Sequence, residues 1–304
     1  MSKNEWVKYR NGNYYVYFNK KNGTKIRRCM EDEMKPDFPE NCDVLISTKC
    51  KRNCPWCYAV CSPEGVHGSF ENLNFIDTIH EYTELALNLN FPLHPGLVSF
   101  LRKMKEKKVF VNLTVSQPDF IQNREFIENL YNENLFFGLG VSASDNIRQL
   151  VYSVSHTCIK NIVIHVINGL FMLDNFEDVE GKGLKLLILG YKEFGNGIIY
   201  EEKERVLLEK RKRWMKENIS RLLQSFEIVS FDNLALEQLD IRSMMSDDEW
   251  EKYYMGDDGT ATIAINIVNR TFSKNSTSVE EYPIDGKSLH DMLSCIRSCS
   301  ALGS

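Results

Sequence analysis

The sequence carries no excess of positive charge. Its 37 basic side chains face 42 acidic ones, a formal net charge of -5, so no chain-wide field draws it to nucleic acid or to an anionic membrane. Long apolar runs are missing too: no stretch reaches the length of about 18 residues expected of a spanning helix. Residues 1–10 are polar and lack the apolar segment of a secretory signal. These absences lead us to expect a cytoplasmic protein. The chain also has no phosphate-cradling G-x-x-x-x-G-K, no G-x-S-x-G nucleophile elbow and no H-E-x-x-H helix, which removes the commonest routes to nucleotide hydrolysis, acyl transfer and zinc proteolysis. No long internal repeat is visible, which argues against a solenoid or propeller. Nine cysteines, an odd number, fit a reduced chain better than a disulfide framework.

What is present is ordinary globular material: 304 residues, 43% hydrophobic and 26% charged, which excludes disorder, collagen-like fibre and bare coiled coil. The length suits about two domains or one barrel-like α/β fold. Residues 6–9, 14–18 and 25–28 are separated by Asn11-Gly12 and Asn22-Gly23, two turn dipeptides, and read as a β hairpin or meander. Residues 31–40, with Pro36 and Pro39, suit a linker. Short apolar runs at 44–46, 84–87, 109–115, 136–141, 161–167 and 184–189 then alternate with helical patterns at 95–107, 119–132, 146–154 and 201–226. Such alternation predicts parallel strands joined by right-handed crossovers, each strand nearly continuously apolar because helices cover it. We therefore expect an α/β fold, a partial (β/α)6 TIM-like barrel over residues 41–226, with an N-terminal β extension over 1–40. Residues 227–304, with strand patterns at 228–231 and 260–268 and helices near 233–245 and 288–296, are expected to form an α+β C-terminal cap.

The densest chemistry follows the first strand. Cys50, Cys54 and Cys57 have the spacing C-x3-C-x2-C, with Trp56 before the last cysteine and Cys61 four residues beyond. Three thiolates on one loop can converge on one metal centre, and soft thiolates select iron-sulfur clusters or zinc. A zinc-stabilised binding or scaffold protein would use Cys50, Cys54, Cys57 and Cys61 as four thiolates. That reading stays open, although structural zinc sites usually pair two C-x2-C knuckles and only one is present.

Cys50, Cys54, Trp56 and Cys57 resemble the signature of the radical SAM superfamily. The resemblance implies that Cys50, Cys54 and Cys57 hold a [4Fe-4S] cluster whose open iron receives S-adenosyl-L-methionine, with Trp56 near the adenine. It implies an enzyme that reductively cleaves S-adenosyl-L-methionine to a 5′-deoxyadenosyl radical, which abstracts hydrogen from a substrate, and an external one-electron donor of flavodoxin or ferredoxin type. The segment 84–95, ending in Pro92-Leu93-His94-Pro95, is similar to the family's second-strand region, but Asn88, Leu89 and Asn90 stand where the family has a glycine-rich turn. A degenerate member with weak S-adenosyl-L-methionine binding is the further alternative. The resemblance is specific in the cysteine loop and architectural over residues 43–232.

In barrels, residues at the carboxyl ends of strands tend to be functional. Asn112, Ser116, Gln117, Ser142, Ser144, His165, Asn168 and Lys192 occupy such places. The expected cofactor contacts are Trp56, Asn88, Leu89, Asn90, Ser116, Ser142, His165, Asn168 and Lys192. Ser142 and Asn168 suit ribose or carboxylate contacts, and Lys192 suits a carboxylate. Ser144 or Asp145 is expected to cap the next helix. His165, inside an apolar run, reads equally as a core histidine, and His94 before Pro95 as structural. The charged run 203–216 reads as an exposed salt-bridged face, Gly256-Asp257-Asp258-Gly259 as a turn, and Cys295 and Cys299 as idle thiols. The substrate, a small molecule or a peptide, is not specified; nucleic acid and membrane are disfavoured.

Overall fold

A computed structural model describes residues 5–144 and 146–300. The candidate cap Asp145 and the first four residues of the polar N-terminus lie outside the described residues. Strands β1 (Trp6–Asn11), β2 (Tyr14–Asn19) and β3 (Lys25–Cys29) form the expected antiparallel sheet. Gly12 and Gly23, at φ 61° and 79°, take the left-handed conformations that its turns require. Tyr9, Tyr14, Val16 and Phe18 bury one face of this sheet with Phe38, and Phe18 meets Phe110 at 4.4 Å between ring centroids.

The larger sheet is built by alternation. In chain order it takes β4 (Asn41–Leu45), helix α1 (Asn74–Thr78), β5 (Glu84–Asn88), α2 (Leu97–Glu106), β6 (Phe110–Ser116), α3 (Gln117–Gln122), α4 (Arg124–Asn132) and β7 (Gly138–Ser142). There follow α5 (Ile147–Ser155), β8 (Ile162–Ile167), β9 (Lys185–Leu189), the long α6 (Asn196–Ser225), β10 (Ile228–Phe231), α7 (Asn233–Gln238) and α8 (Asp247–Tyr253). The chain then adds β11 (Thr262–Asn266), β12 (Thr271–Ser273), β13 (Tyr282–Pro283) and α9 (Leu289–Ser300). Strand order is β10-β9-β8-β7-β6-β5-β4-β11-β12-β13, parallel from β10 to β11 and antiparallel from there to β13.

The fold is thus α/β with one large mixed sheet, not closed into a barrel but open as a partial barrel is: β10 and β13 are its two free edges. Two finer expectations are corrected. The parallel array exceeds six strands, because β10 and β11 join it from the segment expected to form a cap; β11 pairs with β4 over five positions, Thr262 to Asn266 against Asn41 to Leu45. The strands also alternate instead of being apolar throughout. Leu85, Leu87, Val111, Leu113, Val115, Ile164, Val166, Leu186 and Ile188 share one core with Leu101 and Met104 of α2, Leu130 of α4, Leu150 of α5 and Met215, Ile219 and Leu222 of α6. The other face, with Asp43, Asn112, Thr114, Ser142 and His165, is half-buried or exposed. Helices cover one face only, so only one residue in two along a strand needs to be apolar.

The uncovered face is concave. Asn233, just after β10, donates to Asp258 Oδ1 at 2.8 Å and to the Gly256 carbonyl at 3.2 Å, both just before β11. In a flat array those two strands would stand about 34 Å apart. The parallel array bends until its outer strands, β10 and β11, are joined through loops without pairing with each other.

Candidate functional site

The cysteine loop grows directly from the carboxyl end of β4. Its two limbs run beside each other: Thr48 N–H donates to Val66 O at 2.9 Å, Ser62 N–H to Thr48 O at 2.9 Å and Cys50 N–H to Ser62 O at 2.8 Å. Gly65 permits this approach, since a Cβ there would stand 2.2 Å from the Thr48 carbonyl oxygen. Cys50, Cys54, Cys57 and Cys61 therefore occupy the tip of a braced loop. Val60, between the last two, has φ 51°, a left-handed conformation that β-branched residues rarely adopt.

A second clamp comes from α3. Asp119, with a 2% accessible side chain, lies 3.3 Å from both Lys51 Nζ and Arg52 Nη2, the two residues after Cys50. Ser116 caps α3, its Oγ accepting from Asp119 N–H at 3.3 Å and donating to Asp119 Oδ2 at 2.9 Å. A third clamp is the β9–α6 loop. Asn196 N–H donates to Cys57 O at 3.3 Å, and Lys192 Nζ sits 4.0 Å over the Tyr58 ring. Trp56 stands edge-on to Tyr200 with centroids 5.5 Å apart.

The thiols differ in character. Burial pushes Cys50 up, opposed by hydrogen bonds from the Arg52 and Asn53 amides. Cys54 is pushed up to about 11 by burial and by the neighbouring Cys57 and Cys50. Cys57 is pulled down to about 6 by the hydrogen bond from the Cys61 thiol, against its own burial, with help from the amides of Cys61, Ala59 and Val60. Cys61 moves the other way, held protonated by that same bond and by burial. Within the loop the Cys61 thiol thus donates to the Cys57 sulfur and eases its ionisation, while burial disfavours the thiolates of Cys50 and Cys54.

As a metal site the donor set is suitable, and the geometry is open. Amide N–H groups aimed at sulfur are the surroundings that iron-sulfur thiolates use, and Cys57 and Cys50 have them. Among the described residues no three His, Cys, Asp or Glu side chains are gathered closely enough to hold one metal ion. The sulfurs of Cys50, Cys54 and Cys57 would have to draw together around a cluster. Cys61 is set apart from the other three, its thiol donating to the Cys57 sulfur and its own sulfur 3.9 Å from the carbonyl oxygens of Ser47 and Ala59.

The other expected contacts divide. Asn88 bridges the end of β4, its Oδ1 accepting from Ile46 N–H at 2.8 Å and its amide donating to Ser47 O at 2.8 Å. Asn90 donates to Ser47 O at 3.1 Å and lies 3.8 Å from Cys61 Sγ. Leu89 is 2% exposed and belongs to the core. Asn168 is buried and donates to Gln238 Oε1 at 3.1 Å, which ties β8 to α7 and leaves its own Oδ1 without a hydrogen bond. Ser142 is half-buried on the concave face. His165 shares that face, packed over Gly140, where an added Cβ would stand 2.2 Å from the ring, and burial lowers its pKa to about 4. It is a neutral imidazole at physiological pH. Trp56 and Lys192 border the cysteines, whereas Ser116 and Asn168 serve the scaffold.

Several roles in the scaffold settle otherwise than expected or as expected. Asn146, not Ser144, caps α5, accepting from Gln149 N–H at 3.0 Å, while Gln117 holds Asn146 O and Ser144 N–H. Asn112 reaches Glu84 at 3.4 Å. His94 is structural, bonding Gly68 O at 2.6 Å.

Beside the cysteine loop lies a cavity of about 580 Å³ in the gap between the two ends of the parallel array. Of its six carboxylates, Asp43, Asp232 and Asp258 come from β4, the residue after β10 and the turn before β11. None was among the expected site residues, and neither was Asp119. The one trace in the sequence was Asp43 itself, a lone acid against the apolar run Val44-Leu45-Ile46. Lys192 reaches the cavity as well, donating to Ser276 Oγ at 2.7 Å. No helix is long and apolar enough to cross a membrane among the described residues. In comparisons with known proteins, no family model matches the chain and no curated protein matches it.

Proposed function

We propose that the chain is a radical SAM enzyme, built on an unclosed relative of the (β/α) barrel, with a [4Fe-4S] cluster on Cys50, Cys54 and Cys57. The observation that carries this reading is the C-x3-C-x2-C loop at the carboxyl end of the first parallel strand, opening onto the concave face of a one-sided parallel array. When bound, the cluster supplies the electron that cleaves S-adenosyl-L-methionine reductively. The chain's own residues bind, orient and shield. Asp119 and the amides around Cys50 and Cys57 hold the loop; Trp56 offers an aromatic edge beside it; His165, half-buried and neutral, lines the concave face. The donor of the electron would be an external flavodoxin- or ferredoxin-like protein. A zinc scaffold on four thiolates is less well supported, because structural zinc sites usually pair two C-x2-C knuckles and the loop has one.

The test is anaerobic reconstitution with iron and sulfide, followed by S-adenosyl-L-methionine and a strong reductant. The expected result is a four-iron cluster and 5′-deoxyadenosine, both lost in Cys50→Ala, Cys54→Ala and Cys57→Ala and the cluster kept in Cys61→Ala. Stoichiometric zinc without iron, or equal loss in Cys61→Ala, would overturn it. An intact cluster without 5′-deoxyadenosine would favour the degenerate reading, in which Asn88 and Asn90, both spent on Ser47 O, leave the turn unfit for the cosubstrate.

A further inference from the structure

Residues 6–29 hold seven basic side chains and no acidic one, an excess that the net charge of -5 for the whole chain conceals. Screening confines a field to about 10 Å at 0.1 M salt, so a partner meets the local excess. The strands sort these cations by side. Lys25 and Arg27 point inward and are taken by Glu40 and Glu84. Lys20 and Lys21 are exposed between β2 and β3, and Lys8, Arg10 and Arg28 are exposed on the outer face of the sheet.

The register sets these three around two tyrosines. Lys8 stands opposite Tyr17 and Tyr17 opposite Ile26; Arg10 stands opposite Tyr15 and Tyr15 opposite Arg28. The outer face is therefore two cross-strand rows, Lys8-Tyr17-Ile26 and Arg10-Tyr15-Arg28, with the tyrosines two residues apart on the central strand, about 7 Å from each other. Tyr15 is 42% exposed and Ile26 53%. A strand face that is merely solvated mixes charges of both signs, and no carboxylate shares this one. Glu5 precedes β1, and Glu31, held by Asn13 at 3.0 Å, follows β3. The cations are uncommitted. The Arg28 side chain makes no hydrogen bond or ion pair among the described residues. Arg10 spends only Nε, on Gly12 O at 2.7 Å. Lys8 Nζ lies 4.0 Å over the exposed Tyr15 ring and 5.4 Å from the Tyr17 centroid.

Cations flanking open aromatic rings match single-stranded nucleic acid, whose phosphates pair with the cations while its bases stack on the rings. A duplex keeps its bases from such rings, and an acidic protein segment would leave the tyrosines idle. We propose that the outer face of the N-terminal sheet binds single-stranded nucleic acid, with Tyr15 and Tyr17 stacking on two bases and Lys8, Arg10 and Arg28 on the phosphates. This does not rest on the radical SAM reading. The sheet packs on the amino ends of the parallel strands, through Phe18 on Phe110 and Lys25 on Asn41 and Glu84, whereas the cysteine loop leaves their carboxyl ends.

The test is fluorescence anisotropy with the full-length chain, without reconstitution, and three labelled probes: oligouridylate of about 12 nucleotides, an RNA duplex of the same length, and polyglutamate. Oligouridylate should bind at about 50 mM salt, and the duplex and polyglutamate at least about fivefold more weakly. With three phosphates neutralised, log K should fall against log salt with a slope of about -2.1, reduced to about -1.4 in Arg28→Gln. Tyr15→Ala and Tyr17→Ala should each weaken oligouridylate at least about fivefold, while Lys210→Gln, an exposed cation of α6, leaves it unchanged; circular dichroism confirms folding of each. Absence of oligouridylate binding, equal binding of the duplex or of polyglutamate, or an unchanged affinity in both folded tyrosine variants would overturn the proposal; equality with polyglutamate would assign the face to an acidic protein instead.

Discussion

Glu40 is completely buried, and everything it does depends on Arg27. The guanidinium meets the carboxylate through two bonds of 2.8 Å, Nε to Oε1 and Nη2 to Oε2, while Tyr14 donates to Oε1 at 2.6 Å and Lys25 Nζ stands 3.7 Å from Oε2. Burial by itself would push the carboxyl up; the Arg27 hydrogen bonds and charge, with Lys25 and Tyr14, outweigh it and hold Glu40 low. A carboxyl with a lowered folded pKa contributes stability above its ordinary value of 4.5 and loses that contribution as the pH falls through the folded value. Urea midpoints should therefore fall as the pH is lowered from 4.5 through the folded value, with a shallower drop in a Glu40→Gln, Arg27→Met double variant. Arg27→Ala strips the buried carboxylate of its bidentate partner, leaving Tyr14 and the more distant Lys25, and should cost about 3 kcal/mol, measured by urea unfolding at pH 7. A cost under about 1 kcal/mol would mean that water reaches the pair.

At the scale of elements, the cysteine loop is shaped by close backbone approaches. Gly195, before α6, has φ 55° and ψ -129°, and a Cβ there would meet Tyr58 O at 2.3 Å and Val60 Cγ2 at 2.9 Å. Gly195→Ala must either displace the β9–α6 loop or push the segment between Cys57 and Cys61 outward. We expect a loss of about 1–3 kcal/mol and a lower iron content after reconstitution, by calorimetry and iron analysis; full iron loading in a folded Gly195→Ala protein would show that the clamp is dispensable. Elements also explain which expectations from sequence were met. The helical pattern at 95–107 appears as α2 because Leu97, Phe100, Leu101 and Met104 fall on one face. The pattern at 119–132 divides into α3 and α4 at Asn123, whose φ of -115° ends one helix and begins the next. Apolar periodicity records which face is buried and is blind to such a break.

For the whole molecule, the decisive contact is β11 on β4. Without it β4, which feeds the cysteine loop, would be an open edge, and Ile263 and Ile265 would leave the core that α9 completes with Leu289, Met292, Leu293 and Ile296. A chain ended after residue 259 should therefore aggregate or elute as oligomers in size-exclusion chromatography. A soluble monomer with native circular dichroism would show that residues 260–304 are a true appendage.

The sequence by itself determined the α/β alternation, the N-terminal antiparallel sheet and the placing of three cysteines after the first parallel strand, because each rests on spacing along the chain: period, turn dipeptides and C-x3-C-x2-C. It could not show that residues 227–304 complete both ends of the sheet, since strand partners far apart in sequence leave no local trace. Nor could it bring Asp43, Asp232 and Asp258 to one cavity or move the pKa values of Cys57 and Cys61 in opposite directions. Those follow from curvature, which made neighbours of β10 and β11, and from burial and hydrogen bonds that exist only once the loop has folded against α3 and α6.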